Sequence, residues 1–99
     1  MNKEMNKQYY VYMMTNENNT VLYIGVTNDL KRRVFEHKSG NGSVFAKKYC
    51  ATKLVYYEPC ENAEGAITRE KKLKGSSRLR KVRLINGFNK PWRELYDDF

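Results

Sequence analysis

Arg33 and the chain's only histidine, His37, stand four residues apart, a spacing that places both side chains on one face of a helix. Leu30 and Val34 share that face, so a permanent cation and an imidazole are set beside an apolar stripe. A guanidinium binds anions in a fixed geometry, and an imidazole exchanges protons near neutral pH. Two tyrosines join them from an alternating region. Period-2 spacing puts Tyr10, Tyr12 and Met14 on one face of a first strand, and Tyr23 and Gly25 on one face of a second, so Tyr12 and Tyr23 can meet across a sheet. A phenol with a pKa near 10 is ionised to only about one part in a thousand at pH 7, so a tyrosine base needs a neighbour that takes its proton or favours phenolate. Arg33 and His37 are neighbours of that kind. Glu70 is the fifth residue. It falls inside the apolar stripe of Ala63, Ala66, Ile67 and Leu73, where an unpaired carboxylate is costly and calls for a cation, either Lys or Arg or a metal ion. Helix position alone favours a structural pair, and Arg33 is one partner that would explain both placements without catalysis.

The elements that must position these groups are legible in order. Residues 9–15 read as a strand, 16–19 as turn chemistry and 20–26 as a second strand, giving an antiparallel hairpin. Gly25 permits a close backbone approach, and Thr27 or Asn28 is placed to cap a helix over 29–38. Residues 39–43 form a flexible loop with two glycines, and 44–49 a short helical turn. A third strand spans 53–58 and is closed by Pro59. Asn62 caps a helix to Lys74 that stops at Gly75, and Ser76 or Ser77 caps another through Leu79, Val82 and Ile85 that ends at Gly87. Residues 1–8 read as a flexible leader and 88–99 as a packing segment that pins Trp92 and Leu95. The expected fold is one α/β domain over 1–99, with a small, three-stranded, mostly antiparallel sheet flanked by helices.

Composition narrows the function. Ninety-nine residues support one modest core, and no apolar stretch approaches a membrane span. The first residues lack the apolar centre of a signal peptide, so the cytoplasm is expected. Cys50 and Cys60 are too few for a disulfide scaffold and lack zinc spacing; buried free thiols are expected. Nineteen Lys and Arg against eleven Asp and Glu leave a net charge of +8, which argues for a polyanionic partner, nucleic acid first. Lys71, Lys72, Lys74, Arg78, Arg80, Lys81 and Arg83 crowd one region and are the expected phosphate contacts. No separate reading module remains in so short a chain, so sequence preference should be weak. A monomer is the default.

Taken in order, Tyr10-Val11-Tyr12, Tyr23-Ile24-Gly25, Arg33 and the helical Glu70 resemble the GIY-YIG nuclease superfamily. The likeness is closest to its small stand-alone, excision-nuclease-like (URI) members, which share the Thr-Asn-Asp-Leu-Lys-Arg-Arg run and an ending like Asn89-Lys90-Pro91-Trp92. The chain departs from the pattern in having Tyr-Val-Tyr for Gly-Ile-Tyr and Val26 where some repair members carry lysine. Many members also have an asparagine after the glutamate, a place that Asn86 takes only from a different helix. The resemblance implies the GIY-YIG endonuclease fold and a metal-dependent endonuclease that hydrolyses phosphodiester bonds in nucleic acid, DNA ahead of RNA, in repair or recombination. It makes Tyr12 or Tyr23 the general base and His37 its assistant. It places Arg33 on the scissile phosphate and gives Glu70 one divalent cation, magnesium or manganese. The rival is a non-catalytic nucleic-acid-binding module on the same fold, with the basic run on phosphates and tyrosines stacked on bases.

Overall fold

The run Val-Tyr-Met-Met-Thr has no polar face, and all five residues from Val11 to Thr15 are buried. That is the signature of a strand covered on both sides. Accordingly β1 (Tyr9–Thr15) is the central strand, flanked by β2 (Leu22–Thr27) and β3 (Lys53–Cys60), both antiparallel to it. The computed structural model describes residues 8–99. Of the expected leader only Gln8 is among them, exposed and donating from Nε2 to the Cys60 carbonyl at 2.8 Å; the rest lies outside the described residues.

Three strand limits differ from expectation, one of them only by the addition of Thr27 to the end of β2. Residues 20 and 21 belong to the turn because the Asn16 side-chain oxygen accepts from the backbone N–H of Thr20 (2.7 Å) and Val21 (3.2 Å), in competition with the sheet. β3 continues past Glu58, with Pro59 opposite Tyr10 on an outer strand where its missing N–H is tolerated. β3 also carries a bulge: Met13 pairs with Tyr56 and Met14 with Leu54, which leaves Val55 as the extra residue.

Strand alternation divides the core in two. Val11 and Met13 face α3 (Ala63–Lys74) and α4 (Arg78–Phe88) through Ala66, Leu73 and Ile85. Tyr12 and Met14 face the opposite way, onto Leu30 and Val34 of α1 (Leu30–Lys38) and Ala46 of α2 (Val44–Lys48). The cap of α1 is Asp29, which accepts from Arg32 N–H at 3.2 Å, whereas the Thr27 hydroxyl accepts from the Asp29 N–H one step earlier. Asn62 and Ser77 cap α3 and α4. The expected stripe of α3 is narrower than drawn, since Ile67 is exposed with Ala66 and Leu73 buried. Leu79 is likewise exposed, and α4 runs through Gly87 to Phe88. Both cysteines are free, but Cys50 is exposed and Cys60 only half-buried, because each lies at an element end instead of in the core.

The C-terminal segment is held by Asn89. Its buried amide donates to the carbonyls of Val55 (3.1 Å) and Arg93 (2.8 Å) and accepts from the Arg93 N–H (3.1 Å), which serves the bulge carbonyl. Beyond it, Leu95 is buried and donates its N–H to the Leu54 carbonyl (2.8 Å), while Glu94 Oε2 accepts from Leu54 N–H (2.8 Å). Trp92 packs on the core from the α4 side. Among the described residues no helix is long and apolar enough to cross a membrane.

Candidate active site

The face of the sheet that carries α1 gathers four of the five chemically loaded residues. Tyr12 lies opposite Gly25 and Met14 opposite Tyr23 on β2, so the two tyrosines are diagonal neighbours, with ring centroids 6.2 Å apart. His37, in the last turn of α1, comes down between them, 5.7 Å from the Tyr12 ring and 5.0 Å from Tyr23. Its Nε2 is 2.8 Å from the Tyr12 hydroxyl in a buried hydrogen bond. Two glycines make the space. A β-carbon at Gly25 would stand 2.5 Å from the Tyr12 hydroxyl oxygen, and one at Gly42 would overlap His37 Nδ1. The loop read as merely flexible is therefore seated on the imidazole. Nδ1 itself is buried without a hydrogen-bond partner.

Burial first, and the nearby Tyr23 phenol second, push Tyr12 above its ordinary pKa of 10, while the Arg33 guanidinium works in the opposite direction. Burial also holds His37 down to about 4, with the Arg33 charge adding to the effect and Glu36 opposing it. His37 is thus a neutral imidazole at physiological pH, held as a hydrogen-bond partner of the Tyr12 hydroxyl and resistant to taking up a second proton. Arg33 loses hydration on burial, but its bond to Glu36 and its nearness to both phenols more than compensate, and its pKa is raised. Its ion pair is with Glu36, Nη1 to Oε1 at 3.0 Å, and not with Glu70, so the simple Arg33–Glu70 explanation of both placements is overturned. Glu36, one turn on from Arg33, was visible in the sequence as an i,i+3 partner. It is a functional neighbour that sequence reasoning passed over.

Glu70 does not join the quartet directly. It lies on α3, across the sheet, and pairs with Lys74 one turn later at 3.0 Å, the structural partner that a carboxylate in a stripe demands. Lys74 in turn borders a pocket of about 310 Å³ lined by Leu22, Tyr23, Ile24, Phe45 and Lys81, so the two layers meet at its rim. Among the described residues no three His, Cys, Asp or Glu stand together as a ready metal cage. A lone, partly exposed carboxylate still suits magnesium, which keeps several waters and takes further oxygens from a substrate phosphate. Lys74 is more than half exposed and its pair is worth little, so it yields readily.

The expected phosphate contacts are on the surface: Lys71, Lys72 and Lys74 on α3, and Arg78, Arg80 and Arg83 on α4, with Lys81 half-buried at the pocket. Arg78 also ties α4 to the hairpin turn, donating to the Asn19 carbonyl at 3.2 Å. Arg69 of the same run is taken up by Glu58 (2.8 Å) and docks α3 on β3. Asn86 accepts from Trp92 Nε1 at 2.7 Å, a bond that anchors the C-terminal segment.

A three-stranded antiparallel sheet with this tyrosine, arginine and histidine constellation defines a class. The GIY-YIG catalytic domain matches residues 8–83, and the chain belongs to that nuclease family. Within it, the chain is similar to UPF0213 proteins. That of Natronomonas pharaonis is 35% identical over 81 residues, 82% of this chain and 94% of the relative. That of Pseudomonas aeruginosa is 38% identical over 81 residues, 82% and 77% of the two chains. The solution NMR structure of the UPF0213 protein from Bacillus halodurans superposes with a TM-score of 0.55 at 28% identity, covering 88% of this chain and 92% of that one. The fold expected from the sequence is thus the one found.

Proposed function

We propose that this chain is a divalent-metal-dependent endonuclease that hydrolyses phosphodiester bonds in DNA with weak sequence preference, serving repair or recombination. The observation that carries the reading is the buried hydrogen bond between Tyr12 and His37, with Arg33 beside both phenols. A core tyrosine needs a partner for its hydroxyl, but it does not need a neutral imidazole, a guanidinium and a second phenol around it. In this reading Arg33 binds the scissile phosphate and opposes the charge that builds there. The phenols supply the base: Tyr23 opens on the pocket, and Tyr12 is oriented by its hydrogen bond to the neutral His37, which assists as a hydrogen-bond partner. Glu70 would hold a magnesium or manganese ion, which would supply charge neutralisation at the departing oxygen. The basic surface of α3 and α4 holds flanking phosphates.

The test is cleavage of labelled single-stranded, duplex and branched DNA and of RNA, with magnesium, manganese or chelator, comparing wild type with Glu70→Ala and Tyr12→Phe. Metal-dependent products from wild type alone are expected. Equal cutting by the variants overturns the assignment of these residues. The second reading, a binding module without catalysis, draws on the Glu70–Lys74 pair, which satisfies the carboxylate with no metal. It wins if nucleic acid is bound and never cut.

A further inference from the structure

Beside the proton-transfer group, three aromatic rings lead from the site to the surface. Tyr23 and Phe45 are stacked, with planes 29° apart and centroids separated by 6.2 Å, and Phe45 meets Tyr49 at 4.8 Å. Phe45 is 45% exposed and Tyr49 41%. Both belong to α2 or its cap, a five-residue helix whose one buried side chain is Ala46. A phenylalanine left half in water forgoes much of the stabilisation that burial would bring. α2 therefore contributes little to the core and serves to display the ring.

The surroundings specify what would cover it. Phe45 lines the 310 Å³ pocket together with Leu22, Tyr23 and Ile24 of β2, Lys74 of α3 and Lys81 of α4. Lys48 Nζ lies 5.5 Å over the Tyr49 ring. An occupant must offer a flat π face to Phe45 and negative charge to Lys81, with Lys74, already held by Glu70 at 3.0 Å, at the rim of the same small space. A nucleobase joined to its phosphate has that combination, and base–aromatic stacking tolerates any base. In a duplex both faces of an interior base are already stacked on its neighbours, so the ring selects a nucleotide that has left the helix.

We propose that Phe45, with Tyr23, Tyr49, Lys74 and Lys81, forms a stacking subsite for an unpaired nucleotide, which makes single-stranded nucleic acid the substrate class of the adjoining site. The proposal deepens the endonuclease reading and rests on it only for the cut; the binding step is measurable alone.

The experiment is fluorescence anisotropy in chelator, with labelled oligothymidine, oligouridine and a blunt duplex, on wild type, Phe45→Ala and Phe45→Trp. Phe45→Ala should weaken single-strand binding about tenfold and duplex binding less than twofold. Phe45→Trp should restore it. The strand that responds, deoxy or ribo, names the sugar. A 2-aminopurine placed in the responding strand should be quenched by wild type and not by Phe45→Ala. Circular dichroism checks that the variants fold; Phe45→Trp keeps the test valid should the alanine variant fail, since quenching must persist with it. Unchanged single-strand affinity of a folded Phe45→Ala, or equal losses on single strand and duplex, overturns the subsite. Absence of cleavage with magnesium overturns only the nuclease reading.

Discussion

The hydroxyl of Tyr12 stands 2.8 Å from Nε2 of His37, and neither side chain is more than 2% exposed. The two reach this contact from different elements, the central strand and the last turn of α1, across 25 residues of sequence. Both have polar atoms that burial penalises, and each provides the other's partner.

Tyr12→Phe keeps the ring and removes the bond. The variant should retain its fold, with a loss of about 1 kcal/mol in urea unfolding, while cleavage falls about 10²-fold or more. A variant that unfolds instead, or one that cuts at the wild-type rate, would show the bond to be structural.

Stability should depend on pH through His37. Burial, aided by Arg33, lowers its pKa from 6.5 to about 4 in the folded chain. Between those values the unfolded chain binds more protons, so stability is complete above pH 6.5 and declines as pH falls toward 4, by on the order of 3 kcal/mol. Urea unfolding at pH 7 and pH 4.5 for wild type and His37→Gln isolates this contribution, because the glutamine variant lacks it. Parallel pH profiles for the two proteins would refute the assignment.

Gly25 leaves room for the Tyr12 hydroxyl and Gly42 for the His37 ring, and a β-carbon at either position would collide with the pair. Gly25→Ala and Gly42→Ala should each cost about 1–3 kcal/mol by overpacking and shift the pair out of register. Cleavage should fall more than nucleic-acid affinity, a split visible by comparing turnover with binding measured in chelator.

Asn89→Ala removes three hydrogen bonds, among them the one to the carbonyl of the Val55 bulge. A loss of about 1–3 kcal/mol is expected, read as a lower denaturant midpoint at unchanged slope. Asn86→Ala, which frees only the indole N–H of the half-buried Trp92, should cost less.

What the sequence disclosed follows from which interactions are local. Tyr12 and Tyr23 could be placed on one sheet face because strand alternation is strict, and Arg33 with His37 because helix spacing is. Asn62 was legible as a cap for the same reason, and Ser77 as one of two adjacent candidates. Non-local pairings were hidden. Asn89 read as a polar residue after a helix, although its partners lie on β3 and in the terminal segment. The Val55 bulge left no mark, since Leu-Val-Tyr-Tyr is equally good as an unbroken strand. Gly42 counted as loop freedom, when its role is to let the backbone touch a ring five residues back. Glu70 and Lys74 were both visible, but only the fold shows that Lys74 faces the pocket shared with Tyr23.

The bonds from Leu95 and Glu94 to Leu54 have a consequence for the outer rim of the sheet. A bare terminal strand offers its backbone to any neighbouring chain, and lengthening of the sheet from molecule to molecule is the usual outcome. Here the last residues occupy that invitation at one end of β3, and Pro59 withholds a donor at the other. The β3 rim is thus guarded by the same stroke that holds the C-terminal segment down, and the covering lies at the opposite edge of the sheet from the strand that bears Tyr23.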